Sequence, residues 1–206
     1  MVTDINELIA EIRRLQGEME TRWAALREQF HYTLEGRKVR FAAEVRRLHR
    51  RYRVGVLRYL GDTPPRHIAT APLIYAMFVP LVLLDVALIT YQQVCFRAYG
   101  VPRVVRRDYL VIDRHQLSYL NGIEKANCMY CSYANGLMSF AQEVVARTEQ
   151  FWCPIKHARR VLGAHERYYK FAEYGDCEAY QDQLVKLRED LRNESGSGER
   201  PAVSEG

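Results

Sequence analysis

The chain has 206 residues, a formal net charge of +5 and 48% hydrophobic residues, a size that suits one modest domain with extensions. The positive charge lies mostly on arginines that flank one apolar stretch. This favours contact with anionic lipid headgroups over nucleic-acid binding, because no nucleic-acid motif accompanies the charge. The first 30 residues are charged throughout and contain no apolar signal-peptide core, so we expect no secretory leader. Five cysteines without such a leader argue against a disulfide framework and leave the thiols free to bind metal.

The first predicted element is a long amphipathic helix over residues 4–35, with Asp4 as its N-cap. Its apolar residues recur at spacings of three and four, which predicts a short coiled coil between copies of the protein. This stripe consists of Ile5, Leu8, Ile12, Leu15, Met19 and Leu26, and Arg22 interrupts it. The same stripe would also suit packing on the protein's own domain, and three heptads do not decide between the two.

A second amphipathic segment follows Gly36 and completes an N-terminal element over residues 1–60. Apolar residues keep helical spacing here, at Phe41, Val45, Leu48, Tyr52 and Tyr59. Arginines surround them, at positions 46, 47, 50, 51, 53 and 58. We expect a basic helix that lies on an anionic membrane surface, with the arginine stems reaching toward phosphates. A solvated coiled-coil face is the alternative. Residues 61–65 break the helix.

The most hydrophobic part of the chain is predicted to be a membrane anchor at residues 66–96. From Ile68 to Tyr91 there are 24 residues with one charged side chain, Asp85, and no Lys or Arg. A straight helix of this length measures about 36 Å, compared with a hydrocarbon core of about 30 Å. A buried core helix of a soluble protein is the alternative reading.

The charges and prolines around this anchor leave its topology open. Arginines lie on both sides of it, so the positive-inside rule does not orient it. Pro72 and Pro80 fall inside it, and Pro80 favours a kink near the middle. We therefore favour a re-entrant hairpin over a kinked single span. Asp85 is costly in lipid unless it is paired, which makes it a candidate functional carboxylate.

Residues 103–192 are predicted to form a small helical domain. Tyr109–Ile112 would be a short strand or an extended link, and Asp113 would cap a helix over Arg114–Asn127. A second helix is expected over Gly136–Phe151, with further helices over 157–172 and 176–192. Residues 193–206 have low apolar content and are predicted to be a disordered tail. The predicted fold class is therefore mostly α, with a coiled-coil-like N-terminal helix, one membrane-embedded segment and a small C-terminal domain.

The candidate metal ligands are Cys128, Cys131, Cys153 and His157. The first two have the C-x2-C spacing and the last two have C-x3-H, and each pair suits binding to one ion. A helical hairpin across the 21 residues between the pairs would bring them together as a tetrahedral Cys3His site. Zinc and an iron–sulfur cluster both fit such a set, and the choice stays open. The alternatives are cysteines that are simply buried apolar residues, and a redox dithiol.

The strings NCMYCSYANG and FWCPIKH, preceded by RDYLVIDRHQLSYLN, resemble an uncharacterised bacterial membrane-associated protein family with NC-x-YC-x-YANG and WCPIKH motifs. The resemblance covers roughly residues 52–170. It implies a bacterial source and no particular activity. Together with the predicted anchor, we expect the protein at the bacterial inner membrane, with the bulk of the chain in the cytoplasm.

Three functions are compatible with these features. The first is a membrane-anchored binding or scaffold module, in which the Cys3His site holds zinc and residues 4–35 assemble copies. The second is an iron–sulfur redox protein at the membrane. The third is a membrane enzyme that uses Asp85 or Glu124, and no catalytic residue follows from the sequence. Anionic membrane lipids and a second copy of the chain are the expected partners, and no nucleic acid is expected.

Overall fold

The computed structural model describes residues 5–35 and 38–194. The protein is mostly helical and has one long apolar helix, which confirms the predicted fold class at that level. The chain divides into two compact units. One consists of Met1–Asp62 and Asp113–Ala126, and the other consists of Thr63–Ile112 and Asn127–Gly206. Asp4 and the predicted tail from residue 195 onward lie outside the described residues.

The first unit begins with helix α1 (Ile5–Gln29), which ends six residues before the predicted boundary. The chain turns at His31, whose φ of 51° lies in the left-handed region. Strands β1 (Tyr32–Glu35) and β2 (Lys38–Phe41) then pair in antiparallel register. The predicted helix extends too far because these short strands pair with each other. The apolar spacing of a helix contains no information about such pairing.

The predicted basic helix is divided into α2 (Ala43–Arg51) and α3 (Val56–Asp62). In α2 the two half-buried side chains, Val45 and His49, lie four residues apart on one face. The His49 ring lies between the rings of Phe41 and Tyr119, at centroid distances of 5.1 and 5.3 Å. The arginines of α2 are exposed. Of the predicted apolar stripe, Val45 is half-buried, whereas Leu48 and Tyr52 are exposed and Phe41 lies in β2.

The second unit begins with the 35-residue helical stretch Pro65–Tyr99, here called the apolar helix. It comprises α4 (Pro65–Ala76), α5 (Phe78–Tyr91), a π-helical turn (Gln92–Phe96) and α6 (Arg97–Tyr99). Met77 joins the first two with right-handed helical angles, φ −63° and ψ −13°. The chain therefore continues in one direction, and the re-entrant hairpin favoured from the sequence is not formed.

The apolar helix ends at a Schellman motif, three residues beyond the end of the predicted anchor. Gly100 has a φ of 69°, and the Val101 N–H donates to the Phe96 carbonyl at 2.9 Å. Val101 and Phe96 are both buried in the core of this unit. Residues 101–112, here called the return segment, lead away from this end. They contain one 3-10 turn, Arg106–Asp108. Of the two alternatives predicted for Tyr109–Ile112, the strand is not formed, and the chain there links the 3-10 turn to the next segment without regular structure.

Helix α7 (Gly122–Trp152) is one unbroken helix of 31 residues where the sequence predicted two. Asn121 caps it, because its Oδ1 accepts from the Ile123 and Glu124 N–H groups at 2.9 and 3.0 Å. Glu124 completes a capping box by accepting from the Asn121 N–H at 2.8 Å. The helix predicted from Arg114 is only a 3-10 turn, Arg114–Gln116.

After α7 the predicted helix over residues 157–172 is mostly irregular chain. Its single regular turn is the 3-10 helix Glu166–Lys170. Pro154 follows the end of α7, and Ile155 forms an isolated parallel bridge with Ala172. These contacts hold the segment as a loop. The final helix, α8 (Cys177–Asn193), agrees with the prediction to within one residue.

The core of the second unit lies where the apolar helix, the return segment, α7 and α8 meet. Its most completely buried side chains include Phe96, Leu137, Phe140, Val144 and Leu191. The core therefore covers one face of the second half of the apolar helix. It contains both apolar-helix residues and α7 residues, so the two helices form one packed structure.

We expect the substitution Gly136→Ala to lower the free energy of unfolding by about 1–3 kcal/mol, the usual cost of overpacking. An added Cβ would lie 2.7 Å from the Tyr109 carbonyl oxygen and 3.0 Å from Leu110 Cα, so the return segment would have to move. Thermal unfolding followed by circular dichroism measures the effect. Gly17→Ala in α1 is the control, since no atom lies within 4 Å of its added Cβ. A control that is equally destabilising would contradict the steric explanation, because alanine favours helices.

Candidate membrane-facing helix and its ion pair

The apolar helix is long enough and apolar enough to cross a membrane. Its most hydrophobic window of 18 residues has a mean hydropathy of 2.3, and only 11% of that window is buried. A core helix of a soluble protein would bury most of such a surface. The buried-core reading of the sequence therefore does not describe this helix.

The uncovered surface is apolar and continuous along the helix. Large side chains on it are strongly exposed, including Leu73 (73%), Val79 (62%), Leu83 (65%), Val86 (57%) and Val94 (63%). The opposite face of the second half is buried at Asp85, Leu88, Gln92 and Phe96, which are spaced by three or four residues. One face is thus covered by the protein, and the other is a hydrophobic patch of the kind that binds membranes or proteins.

Asp85, the single charged residue between Ile68 and Tyr91, lies on the covered face and is 6% exposed. Arg106 donates two hydrogen bonds to it, from Nε to Oδ1 at 2.8 Å and from Nη2 to Oδ2 at 2.5 Å. The Tyr133 hydroxyl donates a third to Oδ2, at 3.0 Å. The hydrogen bonds from Arg106 to Asp85 raise the pKa of Arg106. Such a fully paired carboxylate can lie in an apolar helix without an unpaired charge.

The return segment is tied to the same face by further polar contacts. Gln92, 4% exposed, accepts from the Val104 N–H through Oε1 at 2.7 Å. Arg103 donates to the Gln93 side chain at 2.6 Å. Val104 contacts Gln92, and Arg106, further along the return segment, contacts Asp85, which lies earlier in the apolar helix. The return segment therefore runs antiparallel to the apolar helix.

Helix α7 lies parallel to the apolar helix along most of its length. The first contacts are a hydrogen bond from the Tyr130 hydroxyl to the Ile74 carbonyl and the ring pair of Phe78 with Tyr133. Further along are the Tyr91–Thr148 hydroxyl pair and the Tyr99–Trp152 ring pair. Because the residue numbers rise together in both helices from one contact to the next, the two helices run in the same direction.

A second cluster of charged groups holds α7 to the C-terminal part of this unit. Glu143 accepts from Arg147 Nε at 2.8 Å and from Arg167 Nη2 at 2.7 Å. Arg167 also binds Glu194 at 2.7 Å and Gln150 at 2.9 Å. Arg147 is 2% exposed and donates to the Pro102 carbonyl at 2.7 Å. We call these groups the Glu143 cluster.

The predicted metal ligands are not brought together. Cys128 and Cys131 lie within α7, whereas Cys153 and His157 follow its end. From Cys131 to the end of α7 is about 32 Å along the helix axis, compared with about 2.3 Å from a zinc ion to each ligand sulfur. A continuous helix thus replaces the expected hairpin. Among residues 5–35 and 38–194, no group of three or more Cys, His, Asp or Glu side chains is arranged to hold a metal ion.

Two further side chains have clear local roles. Glu124, a candidate catalytic residue from the sequence, is engaged in the capping box of α7. His165, for which the sequence indicated no partner, binds the Glu149 carboxylate through Nε2 at 2.8 Å. Its Nδ1 accepts from the Tyr168 N–H at 3.1 Å and caps the following 3-10 turn. Both ring nitrogens of His165 therefore serve the fold.

No protein-family model, curated protein or solved structure matches this chain.

Proposed function

We propose that the protein is a membrane-attached binding or scaffold module, held to the bilayer by the apolar helix. The observation that carries this proposal is the exposed apolar surface of this helix, whose most hydrophobic window of 18 residues has a mean hydropathy of 2.3. Such a surface is costly in water and stable against acyl chains. In a bacterial cell the membrane would be the inner membrane, with the bulk of the chain on its cytoplasmic side.

Asp85 supports this function as a structural group. Its hydrogen bonds to Arg106 and Tyr133 join the apolar helix to the return segment and to α7. A movement of the membrane-bound helix would therefore be transmitted through these hydrogen bonds to the return segment and to α7. The exposed arginines of α2 would add attraction to anionic headgroups, worth about 1 kcal/mol for each residue near the surface.

The proposal does not include a shared Cys3His metal site. The predicted ligand pairs lie at opposite ends of a long stretch of α7, and neither pair supplies four ligands by itself. It also does not include catalysis by Asp85 or Glu124. Both carboxylates are engaged in hydrogen bonds that explain their positions without a substrate.

We expect the double variant Leu83→Lys, Val94→Lys to lose most of its binding to vesicles made of equal parts of phosphatidylcholine and phosphatidylglycerol. Both side chains are exposed on the apolar face, so lysines would add charge there without disturbing the core. Flotation on a density gradient measures the bound fraction. Val185→Lys on α8, at a position that is 56% exposed, is the matched control and should float like the native protein. Unchanged flotation of the double variant would overturn the proposal.

Assembly of copies through α1 is a second proposal, carried by the exposure of its apolar stripe. Leu15, Met19 and Leu26 are 50%, 45% and 42% exposed, so this part of the stripe does not pack on the protein's own chain. A second copy would cover it as a coiled coil. We expect Met19→Glu, Leu26→Glu to convert the detergent-solubilised protein to monomers in sedimentation velocity. Glu20→Gln on α1 should leave its oligomeric state unchanged, and a native protein that is already monomeric would refute the proposal.

A further inference from the structure

The connection between the two parallel helices restricts how they can meet a bilayer. Parallel neighbours require the intervening chain to run back along them, and the return segment begins this path beside Gln92 and Asp85. It carries Arg103, Arg106, Arg107 and Asp108 within six residues. Arg107 is 74% exposed. The backbone of the return segment is irregular apart from one 3-10 turn. Lipid does not accommodate irregular chain of this kind.

The two faces of the apolar helix point the same way. The whole stretch of 35 residues measures about 52 Å, but its apolar part, Ile68–Tyr91, measures about 36 Å, compared with a hydrocarbon core of about 30 Å. Length alone therefore permits both a crossing and a position in the interface. In its second half this helix is covered by protein on one face, at Asp85, Leu88, Gln92 and Phe96, and exposes an apolar face on the other, at Leu83, Val86 and Val94. Such a two-faced helix suits the plane of the interface, where its apolar side enters by about 5–10 Å.

Helix α7 presents its own apolar stripe beside the apolar helix. Cys131, Met138, Val145 and Trp152 recur every seven residues and are all exposed. Met138, Val145 and Trp152 are 46%, 58% and 52% exposed. The stripe meets the apolar helix at its last turn, where the Trp152 and Tyr99 rings lie 5.4 Å apart. Tryptophan and tyrosine are the residues that concentrate at membrane interfaces.

The uncharged lengths of the two helices also coincide. The apolar helix has no Asp, Glu, Lys or Arg from His67 to Leu84, and α7 has none from Ala126 to Gln142. The contacts of Tyr130 with Ile74 and of Tyr133 with Phe78 place these two runs side by side. Two adjacent uncharged helix faces make a wider apolar surface than the predicted anchor alone.

We infer that the protein is monotopic: the apolar helix and α7 lie side by side in one leaflet, and neither helix crosses the bilayer. The stripe of α7 then touches acyl chains together with Leu83, Val86 and Val94. This inference rests on the proposed membrane attachment. It adds α7 to the lipid-binding surface and replaces both topologies predicted from the sequence.

Fluorescence of Trp152 tests the role of α7. The chain has two tryptophans, so Trp23→Phe leaves Trp152 as the single reporter and Trp152→Phe leaves Trp23 as the control. Each variant is bound to vesicles of equal parts phosphatidylcholine and phosphatidylglycerol, with or without bromine on the acyl chains. We expect bromine to quench most of the Trp152 emission and to leave the Trp23 emission unchanged. Unquenched Trp152 in protein that still floats would overturn the lipid contact of α7.

Labelling from outside sealed vesicles tests the topology. Arg66→Cys and Arg97→Cys place thiols at exposed positions near the two ends of the apolar helix. A membrane-impermeant maleimide is added outside, and peptide mass mapping separates these sites from the native cysteines. We expect both sites to be labelled equally from the side to which the protein was added. Labelling of one site alone, with the other reacting only after detergent, would establish a crossing helix. Loss of flotation would instead refute the membrane attachment itself.

Discussion

Replacing Asp85 by alanine is expected to lower the free energy of unfolding by about 2–3 kcal/mol. The substitution leaves the Arg106 guanidinium and the Tyr133 hydroxyl without their acceptor at a site where Asp85 is 6% exposed. The Arg106 side chain is 39% exposed, so water can replace part of the lost interaction, and the effect stays below that of a fully buried pair. Urea unfolding in a mild detergent, followed by circular dichroism, measures it.

A double-mutant cycle separates the ion pair from simple loss of packing. Arg106→Met should destabilise the protein, and the Asp85→Ala, Arg106→Met double variant should lose about 1–3 kcal/mol less than the sum of the single variants. Asp62→Ala is the matched control, because the Arg58–Asp62 pair is 3.6 Å long and its side chains are 81% and 73% exposed. That variant should change stability by less than about 0.5 kcal/mol. Additive effects at Asp85 and Arg106 would show that the pair is not coupled.

The sequence identified Asp85 as a residue that needs a partner but did not identify the partner. A lone carboxylate in an apolar run is costly, and this cost is visible from composition alone. Several arginines follow the apolar run within a few residues of one another, and the sequence around them does not distinguish one of them as the partner of Asp85. Arg106 is selected because Gly100 turns the chain back and the return segment runs antiparallel to the helix. That choice depends on tertiary structure, which local spacing does not contain.

The cysteine cluster shows how one local assignment changes a predicted site. Gly136 was interpreted as the start of a new helix, which allowed a hairpin between Cys131 and Cys153. In the structure Gly136 lies in the middle of α7, where the return segment approaches too closely for any side chain. A glycine at a helix break and a glycine at a close crossing look alike in one sequence. The exposed stripe of α7, by contrast, was already present as a seven-residue spacing from Cys131 to Trp152.

Elements with strong local signals were predicted well. The bounds of α8 follow from apolar spacing, which acts over a few residues. The Glu143 cluster joins residues up to 51 positions apart, from Glu143 to Glu194, through Arg167. Of its contacts only the one between Glu143 and Arg147 is local, because helical geometry places residues four apart side by side.

Replacing Glu143 by glutamine is expected to lower the free energy of unfolding by about 3 kcal/mol at neutral pH, since it removes the negative charge that pairs with both Arg147 and Arg167. Burial raises the pKa of the Glu143 carboxyl, but the hydrogen bonds from Arg167 and Arg147 outweigh it and hold the pKa below the ordinary 4.5. The stabilisation is therefore complete above the unfolded-state pKa and is lost as the pH falls through the folded-state pKa.

The gap in stability between the native protein and Glu143→Gln should consequently be constant from neutral pH down to about pH 5 and should close at lower pH. Urea unfolding at a series of pH values measures it. Glu189→Gln on α8 replaces an exposed glutamate and should track the native protein throughout. The variant Arg167→Lys should retain only part of the stability of the native protein. An ammonium group cannot bind Glu143 and Glu194 with the paired geometry of a guanidinium. A gap that stays constant through the acid range would contradict the proposed role of the Glu143 charge, because protonation of the carboxyl would then leave its contribution to stability unchanged.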